Sequence, residues 1–286
     1  MKKILLSLTF FACLFSLTAF DWPQNEIASD SFSVYYGQLR GGLLSPSLVF
    51  SGSEEIKSAA AGFVTAVLTE HDEQPMLFES TLGNAAIICH DDNLMTVYAN
   101  LSAETNELRS SLTEIPNEQP LGTCGNSGWQ EGSALLEFQV VDIEAKTFVN
   151  PRMLMPRFGN EPVLSIKNVT AVNKKGVSFD LNTHKTLASG SYYLYRERQK
   201  DAMPYKTTVL INGASVDTIT YDTLVQVKGK LCTSGRKNYP CSLIYPDSKQ
   251  HLLAEITIPK GKTKITIVTA DILGKEKSLT YTIDAY

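Results

Sequence analysis

The apolar positions follow two patterns along the chain. From about residue 163 onward, apolar and polar residues alternate almost strictly, in VLSIKNVTAV, GVSFDLN, SYYLYRER, KTTVLINGASVDTITYD, LLAEITIP, KTKITIVTAD and SLTYTIDA. Alternation with period two marks strands with one buried and one wet face. Inside the longest run, Asn212-Gly213 separates two such stretches and supplies the positive φ angles of a two-residue turn, which predicts a hairpin. Roughly seven or eight short strands over about 125 residues predict a two-sheet sandwich for residues 157–286.

Residues 21–156 read differently, as shorter strands broken by turns. Predicted strands are Ser47–Phe50, Gly62–Leu68, Ala85–Cys89, 95–98 and 134–141, with one stretch, 103–112, that fits a helix. The pattern indicates an antiparallel, mostly β unit, so the whole chain is expected to be all-β. MLMPRFGNEP (153–162) has the composition of a linker between the two halves. In the 134–141 strand, Leu136, Phe138 and Val140 share one face, and Leu135, Glu137 and Gln139 share the other. The first face is a core face. The second mixes apolar and polar groups, as the floor of a groove would.

The first twenty residues, MKKILLSLTFFACLFSLTAF, change the picture of where the protein works. Two lysines precede an apolar run that ends in small and polar residues, the layout of a secretory signal, and the run is too short and one-sided for a stable membrane span. Cleavage is expected near Ala19. Cys13 offers a lipoprotein alternative, against which the continuing apolar run LFSLTAF speaks. No later segment is apolar for long enough to cross a bilayer. Export to the periplasm or outer envelope of a bacterium is the expectation. Loss of Lys2 and Lys3 takes two from the 26 basic residues, leaving 24 against 30 acidic and a balance of −6. No basic cluster stands out, which argues against a nucleic-acid partner.

Four cysteines would remain: Cys89, Cys124, Cys232 and Cys241. They allow three pairings; a local Cys232–Cys241 bridge across CTSGRKNYPC is favoured in an oxidising compartment, with Cys89 a candidate buried thiol. None of the pairs has Cys-x-x-Cys spacing, so a cysteine zinc site is not expected.

Six ordered pieces of the first half resemble peptidase family M23, the LytM or lysostaphin-like domain. FSVYYGQLRGG is similar to the family's F-G-x-R opening, and EIKSAAAGFV to its V-x-A-x-x-x-G-x-V stretch. LGNAAIICHDDNLMTVYANLS resembles Y-G-N-x-V-x-I-x-H-x-x-G-x-x-x-x-Y-x-H-L-S, and LGTCGNSG the glycine loop I-G-x-x-G-x-T/S-G. LLEFQV corresponds to the H-x-H-F-E-V strand and FVNPRMLM to the closing V-N-P-x-x-x-L. The second half resembles an immunoglobulin-like module, and ADILGKEKSLTYTI the last hairpin of bacterial examples. The resemblance implies an antiparallel M23/LytM-like β domain followed by an Ig-like β-sandwich.

It also implies where catalysis would sit. Active members cut peptide cross-links in peptidoglycan with a zinc held by a His and an Asp four residues apart and by the second His of His-x-His. Here Ser45 stands at the first His, Val49 at the Asp, Asn100 at a catalytic His, and Leu135 and Glu137 at the two positions of His-x-His. Catalytic zinc needs three lone-pair ligands and an open position, and hydrocarbon supplies none. Zinc is therefore expected to be lost. His90, with Asp91 and Asp92, occupies a turn outside the family's metal shell; His71, His184 and His251 lie elsewhere, and each is read as structural or solvated.

These substitutions point to a catalytically inactive module that keeps its groove for docking peptidoglycan, a cell-wall hydrolase or a division protein. The groove positions are Ser45, Val49, Tyr98, Asn100, Trp129, Leu135, Glu137 and Gln139. Glu137 and Gln139 also fit an ordinary wet strand face. Trp129 fits either a rim residue that stacks on glycan or peptide or a core plug. Tyr98 is a packing residue first and a recognition residue second. Two other readings stand beside this one: a structural or adhesive protein acting through its Ig-like half, and an active zinc endopeptidase with rearranged ligands.

Overall fold

The computed structural model describes residues 20–52, 55–69, 80–103, 113–129 and 134–286. Nearly all of the expected signal segment and most of the expected helix at 103–112 lie outside the described residues, as does His71. Almost every described element is a strand. Among the described residues, no helix is long and apolar enough to cross a membrane.

Ser47–Phe50, Gly62–Leu68 and Ala85–Cys89 form as predicted, and the strand expected at 95–98 extends to Leu94–Ala99. The strand expected at 134–141 begins later, as Glu137–Asp142. In the first half, Gly62–Leu68, Ala85–Cys89, Leu94–Ala99 and Glu137–Asp142 are consecutive antiparallel neighbours, and Ser47–Phe50 also pairs with Glu137–Asp142. Leu136, Phe138 and Val140 are fully buried in the main core, beside Tyr98, Leu48 and Phe50. The face assignment made from period two holds.

The second half is a sandwich. One sheet orders the strands Ser178–Asp180, Thr170–Asn173, Gly190–Glu197 and Gln250–Ile258. The other carries Lys206–Ile211, Ala214–Val227, Gly261–Ala270 and Glu276–Ala285. Their inner faces meet in one apolar layer, with Ala171, Leu194 and Ile256 from the first sheet and Val209, Ile267 and Ile283 from the second. The predicted hairpin is present: Ile211 pairs with Ala214, and Asn212 and Gly213 take φ of 52° and 88°, the two positive values a type I′ turn requires.

Two expectations are corrected. The first concerns the linker. Residues 153–162 are packed instead of tethering two free bodies. Phe158 stacks on Trp22 with ring centroids 4.9 Å apart, Met155 is buried, and Arg152 forms a buried ion pair with Glu161. The main sheet runs through both halves, because Thr147–Val149 pairs with Ala214–Val227 in the register Phe148↔Leu224. One apolar core accordingly joins Phe138 and Tyr36 to Tyr221, Leu224 and Tyr245. A segment between two halves that share a sheet must follow their surface closely, whatever its proline content.

The second concerns the cysteines. Cys89, Cys232 and Cys241 are free thiols, and the favoured Cys232–Cys241 bridge is not formed. The register pairs Cys232 with Pro240, and Cys241 opens the short helix Cys241–Ile244 instead of continuing the strand opposite Cys232. Cys241 packs into the main core; Cys232 does not.

Candidate functional site

Glu137 begins its strand in a three-strand neighbourhood, opposite Val49 on one side and Ala99 on the other. Directly paired residues share a face, so Val49, Ala99, Glu137 and, two residues on, Gln139 and Ser47 form a continuous floor on the side away from the main core. Glu137 is 3% exposed. A carboxylate this buried needs partners, and it has them. Oε1 accepts from the Ser47 hydroxyl at 2.5 Å and from Gln139 Nε2 at 3.3 Å. Oε2 accepts from Trp129 Nε1 at 3.4 Å and lies 2.9 Å from Arg40 Nη1.

Arg40 reaches Glu137 from a small hairpin, Leu39–Arg40 with Leu43–Leu44, closed by Gly41 and Gly42 at φ of 58° and 80°. Its guanidinium lies over the Trp129 ring, 4.4 Å from the centroid, a favourable cation–π placement. A Cβ on Gly41 would come within 2.7 Å of the Trp129 ring. The turn therefore needs glycine twice over, for its φ and for the closeness of the indole. A cationic group thus sits directly on the Glu137 carboxylate and neutralises it.

Above this ion pair opens a cleft of about 230 Å³ lined by Arg40, Glu137, Ser45 and Trp129 and by apolar side chains that include Leu43, Leu82 and, from the second half, Leu231. Leu43 and Trp129 stand at 56% and 44% exposure. Large apolar groups left this open at the walls of a mostly apolar cleft are features of a binding site.

The other groove positions separate. Ser45, Trp129 and Glu137 line the cleft; Val49 and Gln139 are buried in the floor beside Glu137. Ser45 Oγ donates to the Ser47 carbonyl at 3.1 Å. Leu135 is half-buried, and its carbonyl is used by Asn100. Tyr98 belongs to the opposite face: it is fully buried in the main core, and its hydroxyl accepts from Ala59 N at 2.7 Å. Asn100 is a clamp. At φ 65° its Nδ2 donates to the Gly125 and Leu135 carbonyls, at 2.8 and 2.7 Å, while its Oδ1 accepts from Gly128 N at 2.8 Å. These two residues are therefore withdrawn from the groove. His90 is held structurally, with Nδ1 2.8 Å from the Ala61 carbonyl and Nε2 2.9 Å from Thr96 Oγ1; burial lowers its pKa.

Sequence reasoning missed Arg40, Ser47 and Leu43. Arg40 lay within the quoted FSVYYGQLRGG, but nothing in its spacing ties it to Glu137. The donor set around Glu137 does not fit zinc. Val49 and Leu135 present hydrocarbon, and the carboxylate faces a guanidinium. Among the described residues, no group of three or more His, Cys, Asp or Glu side chains is placed to hold a metal.

Solved structures similar to part of the chain include a zinc containing peptidase from Vibrio cholerae (18% identity, 44% of this chain and 37% of that one, TM-score 0.35). Another is Csd3 of Helicobacter pylori (18% identity, 51% of this chain and 35% of that one, TM-score 0.37). A third is the catalytic domain of the prophage-encoded M23 protein EnpA from Enterococcus faecalis (19% identity, 48% of this chain and 98% of that one, TM-score 0.35). The chain spans little more than a third of the first two proteins' length, and scores of this size carry no argument about chemistry. A protein-family model matches residues 163–286. A protein of Treponema pallidum (strain Nichols), named only as uncharacterized, is 33% identical over 122 residues, which make up 40% of this chain and 80% of that protein. On that relationship the chain belongs to the same family as the Treponema pallidum protein.

Proposed function

We propose that this is an exported envelope protein whose first half is a catalytically inactive M23/LytM-like module, and that its groove binds peptidoglycan or a cell-wall hydrolase in wall remodelling or division. The observation that carries the reading is the Arg40–Glu137 ion pair beneath Trp129. The motif order puts Glu137 at a ligand position of the zinc peptidases, and Arg40 places a fixed positive charge against it. With Ser45, Val49 and Leu135 at the remaining positions, polarising a scissile carbonyl and activating water have no agent among the described residues. What remains is a cleft with an indole and Leu43 at its walls, suited to the apolar face of a sugar or peptide. The Ig-like half is read as part of the same binding unit, since Leu231 contributes to the cleft wall.

The test is incubation of purified mature protein with isolated peptidoglycan sacculi, with and without added zinc, scoring both sedimented protein and released soluble fragments. Binding without release, weakened at least tenfold by Trp129→Ala or Leu43→Asp, is the expected result. Zinc-dependent release that depends on Glu137 would overturn inactivity. Absence of both binding and release would move the partner from wall polymer to protein.

A further inference from the structure

Arg196 lies near the end of the Gly190–Glu197 strand, 1% exposed, and takes part in none of the ion pairs among the described residues. Its guanidinium donates to the Ser165 carbonyl and meets His251 Nδ1 at 3.2 Å, while its Nε has no partner. His251 in turn has Nε2 2.7 Å from the Tyr221 hydroxyl and the Tyr245 ring stacked on it at 4.8 Å. The groups packed on this cation are thus a carbonyl, an imidazole and phenols. A buried charge without a counter-charge is costly, and burial lowers the pKa of both Arg196 and His251.

Beside Arg196 runs a cleft of about 620 Å³, lined also by Arg198, Lys200, Lys249, Asn168 and Glu197. Lys200 and Lys249 are exposed and free of ion pairs among the described residues. Arg198 is half-buried, donates to the Leu39 carbonyl at 3.2 Å, and leaves its own Nε without a partner. The one carboxylate on the wall, Glu197, accepts from Asn168 Nδ2 at 2.6 Å. Four cations therefore face one carboxylate, in a chain whose formal net charge is −4. A concave surface with low-dielectric walls concentrates such a field, and a surplus of this size favours a phosphate, whose oxygens offer acceptors to several separate cations, over a single carboxylate.

We propose that this cleft is a phosphate-binding site, taking either free phosphate or the phosphate of a lipid headgroup. Arg198, Lys200 and Lys249 supply donors at the wall, where guanidinium and ammonium groups bind phosphate oxygens strongly. Arg196 supplies the fixed positive field beneath them. The site is separate from the Glu137 cleft and does not rest on the function proposed for it.

The test uses the full mature chain. Thermal unfolding is followed against inorganic phosphate at constant ionic strength, with acetate as a matched control, and sedimentation is measured with vesicles of phosphatidylglycerol and of phosphatidylcholine. The Lys200→Ala/Lys249→Ala variant changes two exposed side chains and keeps the fold, which its unliganded Tm checks. Expected is a saturable rise in Tm with phosphate, or selective binding to the phosphatidylglycerol vesicles, weakened at least tenfold in the variant. Phosphate alone identifies a soluble ligand and vesicles alone a headgroup. An equal response to acetate, an unchanged response in the variant, or no response to phosphate or vesicles would overturn the site.

Discussion

Arg40 Nη1 stands 2.9 Å from Glu137 Oε2, with the two side chains 15% and 5% exposed. The pair is closed over by the Trp129 ring, so neither charge is well served by water. Breaking such a pair from one side strands the other charge and costs about 3 kcal/mol. Arg40→Met should therefore lower unfolding stability by about that amount in chemical denaturation, whereas Arg40→Met combined with Glu137→Leu should recover most of it. Strict additivity of the two single changes would mean that the pair is not coupled.

Gly41 is the residue that lets the indole sit there. Gly41→Ala places a Cβ within 2.7 Å of the Trp129 ring at φ 58°, and the expected cost is about 1 kcal/mol with displacement of the ring. The chain has two tryptophans, so the change is read in a Trp22→Phe background. Trp129 emission should shift to the red and retention on sacculi should fall. An unshifted spectrum would place the indole elsewhere.

Asn100 satisfies two carbonyls and one N–H at once, from a left-handed conformation. Asn100→Ala removes all three bonds and should cost about 3 kcal/mol. Asn100→His should also destabilise, because an imidazole cannot reproduce two donations and an acceptance in that place. A histidine variant as stable as the parent would return the position to the groove.

His251 makes stability depend on pH. Its pKa is held well below the ordinary histidine value of 6.5, first by burial and then by Arg196 and Arg198. The folded chain keeps this imidazole neutral while the unfolded chain protonates it as pH falls through about 6.5. The unfolded state then binds more protons, so stability falls as pH falls, by up to about 1.4 kcal/mol per pH unit from this one residue. Denaturation midpoints measured between pH 7.5 and 5 should decline, and His251→Gln should flatten part of that slope. An identical slope in the variant would assign the effect to other groups.

Much of the architecture was legible locally. Period two separated Phe138 from Glu137, the Asn212-Gly213 pair located its turn, and the boundaries of Ser47–Phe50, Gly62–Leu68 and Ala85–Cys89 could be read from the residues between the turns. Each depends on neighbours a few residues apart, which the chain displays in order.

The sequence by itself determined which of these residues cannot ligate a metal, because a side chain's lone pairs belong to its chemistry wherever it lies: Val49 and Leu135 are hydrocarbon in any fold. Only the tertiary structure decided what surrounds Glu137. Register set Arg40 and Ser47 on Glu137, withdrew Tyr98 into the core and Asn100 into a loop clamp, kept Cys232 from Cys241, and carried one sheet from Thr147–Val149 into Ala214–Val227. Pairings of that kind depend on which strands become neighbours, and a shift of one residue would reverse every face. No local pattern records that choice; it is made when the two halves close on a common core.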